Sequence, residues 1–241
     1  MIGLGTIANT ASVVIGGVLG ILFRKSLSKK LCNSLTMTCG IAILFMGISG
    51  TIEKMFIIDN GVIKSEGMML MIACLTLGTL IGELLNIEYY LENFGDWLMR
   101  KSGSTDDSTF IEGFLNATIT ICIGAMSIIG AIQDGLYGDP STLYIKATLD
   151  MVVVMIMTCS YGKGCIFSAI PIFLTEGLMT LLASALKPIM TDLALHNLSL
   201  VGSVLVFAVG FNLISGSEKK ISVCNMLPAI LLAVLAAFLP F

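Results

Sequence analysis

Apolar positions are gathered into eight runs separated by short polar connectors: approximately Ile2–Phe23, Leu31–Ile52, Met68–Leu85, Phe110–Ile132, Leu143–Ser160, Gly164–Leu186, Leu198–Ser215 and Ile221–Leu239. A hydrocarbon core about 30 Å thick takes roughly 20 apolar residues per helical crossing, so each run is a candidate span. The expected fold is an all-α polytopic transmembrane bundle of seven or eight spans. The count stays open because the fifth run carries Lys146 and Asp150 and would also suit a re-entrant segment. A single membrane domain over 1–241 is expected, with spans one to three in 1–86, an interfacial helix and linker in 87–109, spans four and five in 110–163, and spans six to eight in 164–241.

Between the third and fourth runs the period changes. Ile87, Tyr90, Leu91, Phe94, Trp97 and Leu98 recur at helical spacing, with Glu88, Glu92, Asp96, Arg100 and Lys101 on the other side. Such a segment lies in the membrane interface, with Tyr90, Phe94 and Trp97 at the acyl boundary. It reads as an elbow between two spans, or as a sensor of lipid or stretch. The stretch SGSTDDS, Ser102 to Ser108, follows as a linker, and Thr109 with Glu112 forms a T-x-x-E capping box opening the fourth run.

Small residues four apart, Gly16 and Gly20, Gly78 and Gly82, Gly113 and Ala117, predict seams where helix backbones approach closely within a bundle or oligomer. Leu22 through Asn33, Gly40 and Gly47 shows weak similarity to Leu186 through Asn197, Gly202 and Gly210. That alignment pairs spans one to three with spans six to eight in inverted orientation, as in many secondary transporters, although apolar helices also resemble one another by composition alone.

Composition agrees with the pattern. Of 241 residues, 56% are hydrophobic and 12% charged, and mean hydropathy is +0.97. A soluble domain runs near 45–50% apolar and about 25% charged, so a soluble globule is excluded and the bilayer itself is the first partner. With 13 basic against 16 acidic residues there is no polyanion footprint, hence no nucleic-acid partner. The basic residues divide unevenly: Arg24, Lys25, Lys29, Lys30, Arg100, Lys101, Lys163, Lys219 and Lys220 on one side, Lys54, Lys64, Lys146 and Lys187 on the other. The positive-inside rule places the richer side in the cytoplasm and both termini outside. The first run is preceded by no basic segment and followed by one, as in a retained signal anchor. The seven cysteines form no C-x-x-C pair and read as packing residues; the sole histidine, His196, has no second imidazole to join it on zinc. Neither a metal site nor a cofactor is expected.

The chemistry is concentrated in a few groups. Asp150 and Glu176 fall near the middle of the fifth and sixth runs, and Lys146 precedes Asp150 by one helical turn. A charge at bilayer centre costs about 2.5–3.5 kcal/mol on insertion scales and normally faces a partner, a cavity or a permeation path. The reading is therefore either a satisfied ion pair with Glu176 neutral, or a cation- or proton-coupled site. Asn9, Asn116, Asn212 and Asn225 interrupt apolar runs, with Thr10, Thr118 and Thr120 nearby; singly they are interhelical glue, together they could line a polar path. Pro171 and Pro228 free carbonyls that suit either a broken helix or a simple kink. In the outer loop, Asp139 before Pro140 and Ser141 reads as a helix N-cap, while Asp134 has no local structural explanation and could draw cations to an entrance. Enzyme readings are weak: no histidine lies in a span to serve a serine nucleophile, an aspartic dyad would need two carboxylates sharing a proton, and the P-loop motif is absent.

The segments GTIANTASVVIGGVLG (Gly5 to Gly20), FIEGFLNATITICIGAMSIIGAIQDGLYGDPSTLYIKATLD (Phe110 to Asp150) and FSAIP (Phe167 to Pro171) resemble the bacterial YdfK/YqgA-type membrane proteins, essentially end to end. That family is of unknown function and its members are often labelled transport proteins. The resemblance implies a bacterial inner-membrane location. It also matches Glu112, Gly113, Asp134, Gly135, Gly138, Asp139, Ser141, Lys146 and Asp150 to recurrent positions, whereas Glu176 departs from a neutral amide. The expectation is a homo-oligomeric, non-enzymatic protein that moves a small solute or ion. Asp150, Lys146, Glu176, Asn9, Asn116 and Glu112 would lie along the path, and Asp134, Asp139 and Ser141 at the outer mouth. The alternative is a sensor or assembly factor acting through the interfacial helix.

Overall fold

The computed structural model describes residues 2–59, 61–104, 109–122, 125–215 and 220–238. Residues 105–108 of the expected linker and Lys219 of the expected cytoplasmic set lie outside the described residues, as do the side chains of Lys25 and Lys29. In chain order come α1 (Leu4–Ser26), α2 (Lys29–Met55), β1 (Phe56–Asp59), β2 (Val62–Ser65), α3 (Met68–Leu85), α4 (Ile87–Lys101), α5 (Phe110–Cys122), α6 (Ala125–Tyr137) and α7 (Ser141–Tyr161). A 3₁₀ segment (Gly162–Ser168) leads to α8 (Ala169–Leu181) and the short α9 (Ala183–Leu186), followed by α10 (Asp192–Ser215), α11 (Val223–Met226) and α12 (Pro228–Ala236).

Among the described residues, five helical stretches are long and apolar enough to cross a membrane: Leu4–Arg24, Lys30–Met55, Met68–Leu85, Ser141–Leu181 and Asp192–Ser215. A sixth is added if α5 and α6, whose axes meet at 61°, count as one broken span. Large apolar side chains stand out from the helices, among them Met69 at 86% exposed, Leu181 at 81% and Leu84 at 74%. A soluble monomer does not leave apolar surface of this extent in water, so these faces are made for lipid.

One element was not anticipated. The connector after α2 forms an antiparallel hairpin with Phe56 opposite Ser65 and Asp59 opposite Val62. Gly61, at φ 78°, supplies the left-handed residue of its turn. Asn60-Gly61 between FIID and VIKS is the local signal for it. The amphipathic helix expected between the third and fourth runs is present as α4, set off from α3 by Asn86 in the left-handed region at φ 50°.

Two compact units divide the chain: Met1–Cys39 with Tyr90–Cys122 and Met126–Lys187, and Gly40–Tyr89 with Ile123–Ala125 and Pro188–Phe241. In the first, α1 packs along α7 and also against α8. A Cβ on Gly16 or Gly20 would run into the Met151 or Met155 carbonyl, so the predicted small-residue seam joins α1 to α7 within this chain. Gly5 meets Leu143 while Gly20 meets Thr158, which makes α1 and α7 parallel. The chain then folds back through the 3₁₀ segment, whose Gly164 lies against the Phe110 backbone. Lys146 on the outgoing leg and Glu176 on the returning leg are 3.8 Å apart. Pro171 sits in the first turn of α8, where a missing N–H disturbs nothing, so the irregular backbone precedes the proline.

In the second unit, Gly78 and Gly82 of α3 face the backbones of Ala229 and Asn225, and Gly47 of α2 faces Phe207 of α10. Two of its buried amides are tied to backbone. Asn212 accepts from the Ile221 amide and donates to the Ile221 carbonyl, both at 2.8 Å. Asn225 accepts from the Glu88 amide at 2.8 Å and so closes the start of α4.

Candidate functional site

The first unit carries the buried charges. On α1, Thr6, Asn9 and Ser12 are spaced three apart and fall on the face that α7 and α8 cover. α8 offers Glu176 and, one turn on, Thr180; α7 offers Lys146 and, one turn on, Asp150. Three helices with polar residues at helical spacing therefore bring their polar stripes to one seam.

Lys146 Nζ is in direct ion-pair contact with Asp150 Oδ2 and donates to the Ile121 carbonyl of α5 at 2.8 Å. It stands 3.8 Å from Glu176 Oε1. Asn9 Nδ2 donates to that same Oε1 at 2.9 Å, and the Asn9 carbonyl accepts from the Ser12 hydroxyl at 2.7 Å. Glu176 and Asn9 are both 0% exposed, while the Lys146 and Asp150 side chains retain 7% and 10% exposure. Thr6 and Thr180 hydroxyls bond each other at 3.1 Å immediately alongside. At 1.5 Å per residue, Asp150 lies about 14 Å into α7, close to the middle of that 21-residue helix.

Asp134 on α6 is also fully buried. Its Oδ1 accepts from the Gly3 amide at 3.2 Å and its Oδ2 from the Gly5 amide at 2.9 Å. A carboxylate over the orphan amides at the start of α1 satisfies donors that the helix cannot satisfy itself and meets the positive end of its dipole. This supplies the structural role that the local sequence did not reveal. Asp139 is exposed and accepts from both the amide (3.0 Å) and the hydroxyl (2.6 Å) of Ser141. The hydroxyl first and then the amide hold its carboxyl below the ordinary aspartate value, by favouring the charged form. The helix α7 opens at Ser141 with Pro140, not Asp139, in the N-cap position, so Asp139 stands one residue earlier than expected and accepts from the first helical amide.

Of the expected path residues, Asp150, Lys146, Glu176 and Asn9 are brought together. Glu112 and Asn116 are not with them: both face Tyr161 at the far end of α7, about 16 Å along that helix from Asp150. Thr109 donates to the Tyr161 carbonyl at 2.8 Å. The sequence reading passed over Thr6, Thr180 and the Ile121 carbonyl. Thr6 lies three residues before Asn9, and Thr180 four after Glu176, so helical spacing from the chosen residues would have found both hydroxyls. No such signal marks a main-chain acceptor.

On α4, Tyr90 and Trp97 are exposed at 67% and 51%. Gly95 lets Phe114 approach, and Phe94 stacks on Trp97 at 5.8 Å and meets Phe114 at 5.9 Å. Lys101 lies over the Trp97 ring at 4.8 Å. Phe94, Trp97, Leu98 and Lys101, with Phe167 and Ile170, line an apolar groove of about 470 Å³.

Long apolar helices with outward apolar faces, built around a charged seam, define an α-helical membrane protein. The family model described as "Protein of unknown function (DUF554)" matches residues 4–238, and the chain belongs to that family. It is 30% identical over 234 residues to "Uncharacterized protein YqgA" of Escherichia coli (strain K12), covering 95% of this chain and 94% of that one. It is 26% identical over 234 residues to "Uncharacterized membrane protein YdfK" of Bacillus subtilis (strain 168), covering 97% and 95% respectively. No solved structure matches.

Proposed function

We propose that this protein is a transporter or channel for a small solute or ion, with the Lys146–Asp150–Glu176–Asn9 cluster as its central polar station. The observation that carries the reading is the charge count at that station: one ammonium faces two carboxylates, inside a helix bundle whose outer faces are apolar. An ion pair kept only for stability would be complete with one carboxylate, and apolar side chains of similar volume often serve a bundle as well or better. A second carboxylate is an added cost, which use as a binding station explains. The Thr6–Thr180 hydroxyl pair and then Asp134 continue the polar groups from the cluster towards the start of α1.

On this reading the chain works without covalent catalysis or a cofactor, as a homo-oligomer in the bacterial inner membrane with both termini outside. Asp134, Asp139 and Ser141 then mark the outer end. The test is purified protein in liposomes, followed by ion flux and by solid-supported-membrane currents over a panel of cations, anions and amino acids. A response that Asp150→Asn abolishes is expected. Silence of folded protein over the whole panel would overturn the reading. Exposed Tyr90 and Trp97 on α4 favour a second reading, a membrane sensor, which predicts that silence together with partner capture dependent on those two rings.

A further inference from the structure

We propose that Glu176 is the site of an exchangeable proton, carried on Oε2, and that the coupling ion of this station is therefore H⁺; the coupling role rests on the transport reading above, whereas the protonation site does not.

The argument is one of partners. Lys146 commits its charge to Asp150 by direct contact and a further donor to the Ile121 carbonyl, leaving Glu176 Oε1 at 3.8 Å, beyond hydrogen-bond range. Glu176 Oε1 takes one neutral donor, the Asn9 amide. Oε2 has no hydrogen-bond partner among the described residues, although the residue is 0% exposed. A buried carboxylate charge met by neutral donors, the Asn9 amide and the nearby Ser127 hydroxyl, with the one close ammonium already in contact with Asp150, is the costlier state; adding a proton cancels the charge and leaves only one hydroxyl to satisfy.

The groups facing Glu176 from each packed element agree with this. α1 presents Asn9, which is neutral, with Thr6 a turn away; α7 presents Lys146 and Asp150, which are paired. α5 presents the Cys122 thiol and α6 the Ser127 hydroxyl. Asp134, the carboxylate further along α6, is taken by the Gly3 and Gly5 amides. Among the described residues, no three His, Cys, Asp or Glu side chains converge as they would around a metal ion.

The exchange is a simple proton transfer. The O–H bond at Oε2 breaks, the proton passes to water or to a basic group of the solute, and Glu176 is left as a carboxylate. Lys146 then has two anions competing for it, one in contact and one at 3.8 Å. A lysine shared in this way provides two arrangements of the station that differ by one proton.

Infrared difference spectroscopy of the full chain in liposomes, titrated with pH and repeated in deuterated buffer, tests the site without any transport assay. A protonated-carboxyl band is expected that shifts on deuteration, disappears in Glu176→Gln and persists in Glu53→Gln, the exposed control. Asn9→Ala should move the band to higher frequency by removing the bond to Oε1, which keeps the test open should Glu176→Gln not fold. A band unchanged in Glu176→Gln and unmoved in Asn9→Ala overturns the assignment. In parallel, solute uptake should be driven by an imposed pH gradient and lost in Glu176→Gln. Uptake driven by a sodium gradient at fixed pH would overturn H⁺ as the coupling ion. A Glu176 band with no uptake of any solute would instead count against the transport reading and leave the protonation site standing.

Discussion

Lys146→Met removes the ammonium that faces both carboxylates while keeping an unbranched chain of similar length. Two routes give the cost. Loss of the attraction to Glu176 at 3.8 Å is worth about 4 kcal/mol at an effective dielectric of ~20. Loss of the contact with Asp150 leaves a buried carboxylate that relieves itself by taking up a proton. The work of protonating an ordinary aspartate at neutral pH is about 1.4 kcal/mol per pH unit over roughly three units, which caps that route near 4 kcal/mol. With Glu176 already protonated only the second route operates, and a loss of about 3–4 kcal/mol is expected, in line with the typical cost of breaking a buried pair. The sign of the pH dependence follows. The folded variant holds a proton on Asp150 that the unfolded chain releases above the ordinary carboxylate range. The deficit is thus greatest at neutral pH and shrinks by up to about 1.4 kcal/mol per unit on acidification. Lys146→Met with Asp150→Leu removes both charges and should recover to within about 1 kcal/mol of the parent. Equilibrium unfolding in mixed micelles, at neutral and mildly acidic pH, reads all three. A single-variant loss below about 1 kcal/mol, a loss indifferent to pH, or a double variant as weak as the single would each refute the reasoning.

Other perturbations separate packing from chemistry. Gly82→Val should be among the most damaging changes, because even a Cβ there meets the Asn225 backbone, with its carbonyl carbon at 2.6 Å, and backbone yields less than a side chain. Gly177→Ala, whose Cβ would find only Thr6 Cγ2 at 3.9 Å, should be neutral or stabilising by up to about 1 kcal/mol; melting temperatures in detergent compare the two. Asp134→Asn should cost about 1–2 kcal/mol by weakening the cap on α1, measured by the same unfolding assay. If stability is instead unchanged while flux falls, the carboxylate acts at an entrance.

Much of the molecule was legible before any coordinates. Long apolar runs force helices in lipid, because backbone groups must be satisfied within each segment, so the all-α membrane class followed from the pattern alone. Gly16, Gly20, Gly78 and Gly82 announced close seams, since only small side chains allow that approach. Lys146 and Asp150, four apart, could be paired on paper because helical geometry is local. The Phe56–Ser65 hairpin carries a local mark in Asn60-Gly61, but its four-residue strands are too short to stand out beside the long apolar runs that flank them.

What the linear order left undecided is which partner each polar group finds. Asn9 and Glu176 are separated by 167 residues, Gly5 and Asp134 by 129. Nothing local distinguishes Asn9, which reaches the charged station, from Asn116, which faces Tyr161. Period and composition act within one helix and so are written in the sequence; the meeting of α1, α7 and α8 depends on long-range packing, and only the folded chain settles it.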